Sequence, residues 1–219
     1  VSLLALLGCS LGLTSLKDSG ALTAATDPEA LEPTEVSVEG LLYGIGAEDF
    51  VVTEPAGAEA FVEELLAADL LVYVAEETAD SLALSASLAG ADGRQDPCEK
   101  VVALPRASWA DPMFRSGPED LSLTVGGVPA TFEDFQMEGT FDRYAFGWEG
   151  WLSARLDARE VNEALPPELE VCSLLDGLGG SCVACADGSP TCFTVRLDSV
   201  YAELVSWPYD AAPDRSQCG

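Results

Sequence analysis

Two stretches of this chain alternate apolar and small polar residues with a period of two, which constrains its fold more than any other feature. Leu82, Leu84, Ala86 and Leu88 point one way while Ser85 and Ser87 point the other, and Leu121, Leu123 and Val125 alternate with Ser122 and Thr124. Successive side chains of an extended strand fall on opposite faces, so this pattern suits an antiparallel strand with one face in a core and the other toward water. Further strands are expected over 36–45, 70–75, 101–104, 130–141, 144–156 and 193–205, punctuated by Asp-Gly, Gly-Gly and Asp-Arg steps. Within 144–156, Tyr144, Phe146 and Trp148 share a face with Leu152, Ala154 and Leu156, leaving Trp151 on the other face beside Arg155. A strand tryptophan is first a packing residue; Trp151 is also the candidate partner contact.

Helices are fewer. Phe61, Val62, Leu65 and Leu66 form one apolar stripe opposite Glu59, Glu63 and Glu64. Asp157-Ala-Arg-Glu160 approaches the capping-box pattern and opens a helix stopped by Pro166-Pro167. Val171, Leu174, Leu175 and Leu178 fall at i, i+3, i+4 and i+7, with Pro167 at the start and Gly177 to Gly180 at the end. Strands outnumber helices about two to one, and no long strand-helix alternation suggests a parallel sheet. The expected class is mainly β (α+β): an antiparallel β-sandwich or partly open β-barrel with two or three short helices at an end or edge.

Ahead of this region the chain opens Val-Ser-Leu-Leu-Ala-Leu-Leu-Gly-Cys-Ser, an apolar run too short to span a bilayer. Leu6-Leu7-Gly8-Cys9 resembles the lipobox of bacterial lipoproteins. That resemblance implies cleavage before Cys9, diacylglycerol on its thiol and attachment to a membrane through that lipid, with Ser10 in the next position implying passage to the outer membrane. The run starts with Val and has no preceding Lys or Arg, which departs from the family and is read as a clipped start. The competing reading makes Cys9 a core thiol of a buried N-terminal element, but Leu3, Leu4, Leu6 and Leu7 form a block rather than an amphipathic pattern. Residues 1–8 are thus read as a signal remnant, 9–34 as a lipidated cysteine and Ser/Thr/Ala/Gly/Pro-rich tether, and 35–219 as one disulfide-linked β-rich domain.

Six cysteines remain: Cys98, Cys172, Cys182, Cys185, Cys192 and Cys218. In an exported chain an even number implies three disulfides, and sequence alone leaves the pairing open. The preferred set is local: Cys185 with Cys192 across the turn 186–190, Cys172 with Cys182 between a helix and the next loop, and Cys98 with Cys218 tying down the tail. Cys182-Val-Ala-Cys185 also has zinc-ligand spacing, with Cys172 and Cys192 to complete four thiolates, but such sites belong chiefly to reducing compartments. A redox role for the pair needs a βαβ context, and a turn and strand follow it instead. No metal or cofactor is assigned.

Thirty-eight Asp and Glu against ten Lys and Arg give a formal net charge of −28, and histidine is absent. Such a polyanion repels phosphate backbones and bare anionic lipid, so nucleic acid is not an expected partner. Without histidine, Ser-His-Asp, Cys-His and His-dependent metal hydrolysis are excluded, and no phosphate loop or nucleophile elbow is present. No catalytic residue is assigned. Paired carboxylates of the glycosidase kind stay open only because so many acids always offer pairs. Asp92-Gly-Arg-Gln-Asp96 is the nearest calcium-loop candidate and lacks the full EF-hand spacing.

The stretch Thr131 to Ala202 carries Thr131-Phe-Glu-Asp-Phe135, Glu138-Gly-Thr-Phe141, Gly150-Trp-Leu-Ser-Ala-Arg-Leu-Asp-Ala-Arg159, Cys172-Ser-Leu-Leu175, Cys182-Val-Ala-Cys185-Ala-Asp-Gly188 and Thr191-Cys192. It is similar to uncharacterised cysteine-containing lipoproteins of Gram-negative bacteria with GC-rich genomes, in which a β-rich region ends in a helix and a Cys-x-x-Cys-x-Asp-Gly turn. This resemblance implies an address and no chemistry. The expected function is a non-enzymatic envelope module, lipid-anchored in the outer membrane and facing the periplasm or cell surface. It would bind another envelope protein, a glycan or a small ligand, or contribute to structure, with an Asp/Glu hydrolase and a calcium-binding module as alternatives.

Overall fold

The computed structural model describes residues 31–46, 48–65, 69–125, 128–164, 170–213, 216 and 218. Cys9, the leader and most of the expected tether lie outside the described residues, as does Pro167. Glu32–Gly219 forms one compact unit.

The chain runs through β1 (Leu42–Ile45), β2 (Val51–Glu54), helix α1 (Glu59–Leu65), β3 (Leu70–Glu77), β4 (Ser81–Leu88), β5 (Val102–Ala103) and β6 (Ala107–Ala110). Then follow β7 (Met113–Val125), β8 (Val128–Phe141), β9 (Gly147–Asp157), α2 (Ala158–Ala164), α3 (Val171–Leu178) and β10 (Cys192–Val205). Neighbouring strands pair antiparallel in the order β1-β3-β4-β6-β7-β8-β9-β10, and β10 returns to β1 with Tyr43 opposite Leu204. Eight strands thereby close into an up-and-down barrel, with β5 added on β4 and β2 on β10. Of the two architectures the sequence leaves open, the barrel is the one observed, and the β1–β10 pairing completes the ring. Closure satisfies the backbone groups that two free edges would expose.

The barrel has a hairpin end and a helix end. The β3–β4, β6–β7 and β8–β9 turns gather at the first, and α1 and α2 pack at the second. Aromatic side chains fill the hairpin end: Phe141 contacts Tyr43, Trp109 and Phe114 at centroid separations of 5.4, 5.7 and 5.3 Å, and Phe114 meets Trp148 edge-on at 5.3 Å. Room for these rings depends on glycine. A Cβ on Gly139 would lie 2.6 Å from Phe114 and 2.8 Å from Trp148, and one on the facing Gly150 would lie 1.9 Å from the Glu138 carbonyl oxygen.

Three local readings differ from the structure. Residues 36–41 are not strand; they lead in past buried Val38 and a left-handed Gly40, and pairing starts at Leu42. Strand β9 begins at Gly147, so Tyr144 and Phe146 sit in the preceding turn and are exposed, while Trp148, Ala154 and Leu156 face inward as expected. Strand β7 starts eight residues before the alternation at Leu121, its first half disguised by Gly117-Pro118, where the register shifts.

The outer face of β3 and β4 is partly covered by the C-terminal tail. Tyr209 stacks on Tyr73 at 4.6 Å and its hydroxyl lies 3.1 Å from Ser85 Oγ, and Gln95 exchanges two 2.8 Å hydrogen bonds with the Asp210 backbone. This cover lies over strand residues that the alternation alone assigns to water.

Candidate binding site

Above the aromatic plug, toward the helix end, the barrel interior is not filled. An apolar cavity of about 100 Å³ lies among Ile45 of β1, Leu70 of β3, Ala86 and Leu88 of β4, Leu121 of β7, Met137 of β8, Leu152, Ala154 and Leu156 of β9, and Val195 and Leu197 of β10. Helix α1 adds Val62 to the wall, and its Phe61 packs on Phe193 with centroids 6.3 Å apart. Every residue lining this space is apolar.

Two bulges shape the wall. Between Glu133 and Gln136 the β8–β9 register shifts around Asp134, whose φ is +51°, and this turns both Phe132 and Phe135 inward although they are three residues apart. The bulge is held from outside: Asp134 N donates to Asp120 Oδ1 at 3.0 Å, and Arg155 donates to Asp134 Oδ2 at 2.6 Å. Strand β10 does the same at Ser199, with φ +52°, bringing Leu197 and Val200 into the same wall. Neither shift is visible to a period-two reading.

The cysteines pair as Cys98–Cys218, Cys172–Cys182 and Cys185–Cys192, the set preferred from the sequence. The last two brace the connection from α3 to β10. Gly188, with φ +84°, allows Cys185 N to reach Ser189 O at 2.7 Å across the turn, and the isolated bridge Val183–Cys192 follows. Glu133 lies beneath this turn, and one of its carboxylate oxygens and the Cys185 and Cys192 sulfurs lie within 4.8 Å of one another. The sulfurs are bonded to each other, which leaves no thiolate to ligate a metal. The carboxylate accepts from Ala186 N at 3.0 and 2.9 Å and pairs with Arg155 at 3.4 Å, so this group fastens the turn to the barrel.

Asp157 closes β9 and opens α2. Its Oδ1 accepts from Arg159 N at 3.0 Å, as an N-cap does, and its carboxylate binds the Arg159 guanidinium, which also meets Asp187 at 2.9 Å. The hydrogen bonds from Arg159 hold the Asp157 carboxyl below its ordinary range against the opposing effect of burial. The capping-box reading needs one correction: Glu160 does not turn back to the cap but reaches across to Thr131, tying α2 to β8. Helix α3 is capped by Glu170, which accepts from Cys172 N and Ser173 N, and ends at left-handed Gly179.

Trp151 lies on the outer barrel face, half-buried, beneath the Arg196 guanidinium at 4.7 Å, and Arg196 is itself paired with Asp198. In the loop 92–96, Asp92 accepts from Arg94 N and Asp96 from Cys98 N, both at turn-forming spacings. These carboxylates serve their own backbone. Neither Trp151 nor this loop adjoins the cavity, and sequence reasoning did not anticipate that cavity as a site.

Among the described residues, no helix is long and apolar enough to cross a membrane. Comparison with protein-family models, curated proteins and solved structures gives no match to the chain.

Proposed function

We propose that this chain is a non-enzymatic binding module of the bacterial cell envelope, held to the outer membrane by lipid on Cys9, whose barrel takes a small apolar ligand into its interior. The observation that carries the reading is the apolar cavity beneath α1. Eight-stranded barrels are at the width where the interior is either packed by side chains or left with room for one small ligand. Here the hairpin half is packed and the helix half is not.

Its size restricts the ligand. Sites for drug-sized molecules run to roughly 300–1,000 Å³, whereas an apolar cavity of about 150 Å³ stays dry and accepts benzene or xenon. A space of about 100 Å³ therefore suits a compact apolar molecule or the end of one alkyl chain. With no polar side chain in the wall, affinity comes from apolar burial, at about 25 cal/mol per Å², and the site selects by size and apolarity.

Saturating benzene is expected to raise the melting temperature, because a ligand bound only by the folded state stabilises it. Ala154→Leu, which fills the space, is expected to abolish that rise, while Leu156→Ala is expected to keep it and extend it to larger aromatics. An equal rise in all three proteins would exclude the cavity as the site. Intact-mass measurement of natively produced protein is expected to find a diacylglyceryl adduct on Cys9.

A further inference from the structure

Ten large apolar side chains are notably exposed among the described residues, and four of them, Val36, Met113, Tyr144 and Phe146, belong to the hairpin end. Tyr144 is 52% and Phe146 62% exposed, and the two rings contact each other at 5.9 Å. Their exposure is built into a rigid turn. Asp142 Oδ1 accepts from Tyr144 N at 2.8 Å and Phe146 N at 3.2 Å, Asp142 N donates to Gly147 O at 3.0 Å, and Ala145 N donates to Asp142 O at 3.0 Å. Ala145 is fully buried with φ +54°, a conformation a non-glycine residue keeps only where its surroundings impose it, and its carbonyl accepts from the buried Tyr43 hydroxyl at 3.0 Å. Holding Ala145 inward sends both flanking aromatics out.

The chain enters the barrel at this same end. Thr34 N donates to Asp111 Oδ1 at 2.8 Å in the β6–β7 turn, Glu35 N donates to Arg143 O at 2.8 Å, and the Arg143 guanidinium binds Glu32 and Glu35. Twenty-two residues separate Cys9 from Glu32, a span that reaches at most about 75 Å fully extended. On the tether reading of the sequence, a span of that length gives a local concentration on the order of millimolar for whatever surface holds Cys9. Weak apolar contacts suffice at that concentration.

From these observations we infer that the hairpin end rests on the bilayer to which the chain is anchored, with Tyr144 and Phe146 entering the interfacial layer beside Val36 and Met113. This rests on the reading of Cys9 as the lipid anchor. Tyr144 at headgroup depth matches the preference of tyrosine for the membrane–water interface, and Phe146 beside it adds apolar burial. Arg143 is neutralised by Glu32 and Glu35, and the net charge of −28 opposes any anionic surface, so the surface that fits is net-neutral lipid and the hold is apolar. In this pose the cavity, on the far side of the aromatic plug, faces away from the membrane.

The two methionines of the chain report on the two ends: Met113 is exposed at the hairpin end and Met137 lines the cavity. Acylated full-length protein carrying ¹³C-methyl methionine, placed in phosphatidylcholine nanodiscs doped with a gadolinium-chelate lipid, is expected to show severalfold stronger relaxation enhancement at Met113 than at Met137. Tyr144→Ser with Phe146→Ser is expected to remove that difference while the acyl adduct stays on the protein. Equal enhancement at the two methyls in the acylated wild-type chain would overturn the docking and leave the anchor standing, whereas natively produced protein with no acyl adduct would overturn both. A Met113 change that follows protein concentration without lipid would instead assign this end to contact between two copies, and also overturn the proposal.

Discussion

Asp157 sits where β9 passes into α2, and its carboxylate accepts from both the backbone amide and the guanidinium of Arg159. Those hydrogen bonds depress its folded-state pKa below the unfolded value of about 3.9. A depressed carboxyl contributes stability that is complete above the unfolded value and disappears as pH falls through the lower folded one. Asp157→Asn, which keeps the capping acceptor and loses the charge, is therefore expected to lower the urea midpoint at neutral pH and to approach wild type as pH falls through the depressed folded-state value. A constant gap between the two proteins across that range would mean the charge is not what stabilises the junction. At Gly150 the determinant is steric: a Cβ there meets the Glu138 carbonyl oxygen at 1.9 Å, and backbone has little freedom to yield. Gly150→Ala is expected to cost about 1–3 kcal/mol or more, read from urea unfolding. In the sequence Asp157 stands as a cap and Gly150 inside a motif. The cap was legible because a capping residue acts on its own neighbourhood. The glycine's role was not, since the clash that requires it comes from a strand partner.

The three disulfides differ most in the chain they enclose. Cys98–Cys218 spans 120 residues, against 10 for Cys172–Cys182 and 7 for Cys185–Cys192. In the chain-entropy model the long loop stabilises by about 5 kcal/mol and the two short ones by about 2.5 kcal/mol each. Replacing Cys98 and Cys218 by serine is accordingly expected to lower the melting temperature more than replacing Cys185 and Cys192; the reverse order would show that the short bridge acts through the native turn beneath which Glu133 is held. The same elements mark where sequence reading succeeds. Strands β3, β4, β8, β9 and β10 are long enough to carry a period of two, and α1, α2 and α3 were each found from an apolar stripe or a cap. Strands β2 and β6, at four residues each and with neither the apolar run that marks β1 nor a sustained alternation, escape a sequence pattern, and the first half of β7 is broken by a bulge. The cavity was hidden for a related reason. Its wall depends on bulges at Asp134 and Ser199 and on the β1–β10 closure, all set by pairing between distant strands.

For the molecule as a whole, charge and interior volume work on separate scales. A net charge of −28 repels itself in the compact state, and salt screens that repulsion over about 8 Å at physiological ionic strength. Raising sodium chloride from low to physiological strength is expected to increase the melting temperature; a decrease would indicate that the surface ion pairs outweigh the repulsion. The apolar cavity lies beneath this surface, with α1 against one side and the aromatic plug closing the hairpin half. Binding there should be nearly independent of salt, because nothing charged lines the wall. The most direct test of the barrel as a container is a titration of ¹³C-methyl methionine protein with benzene, followed by NMR. The expected result is a saturable shift of the Met137 methyl with the Met113 methyl unmoved, lost in Ala154→Leu. A Met137 resonance that stays fixed while benzene reaches millimolar concentrations would contradict the proposed function.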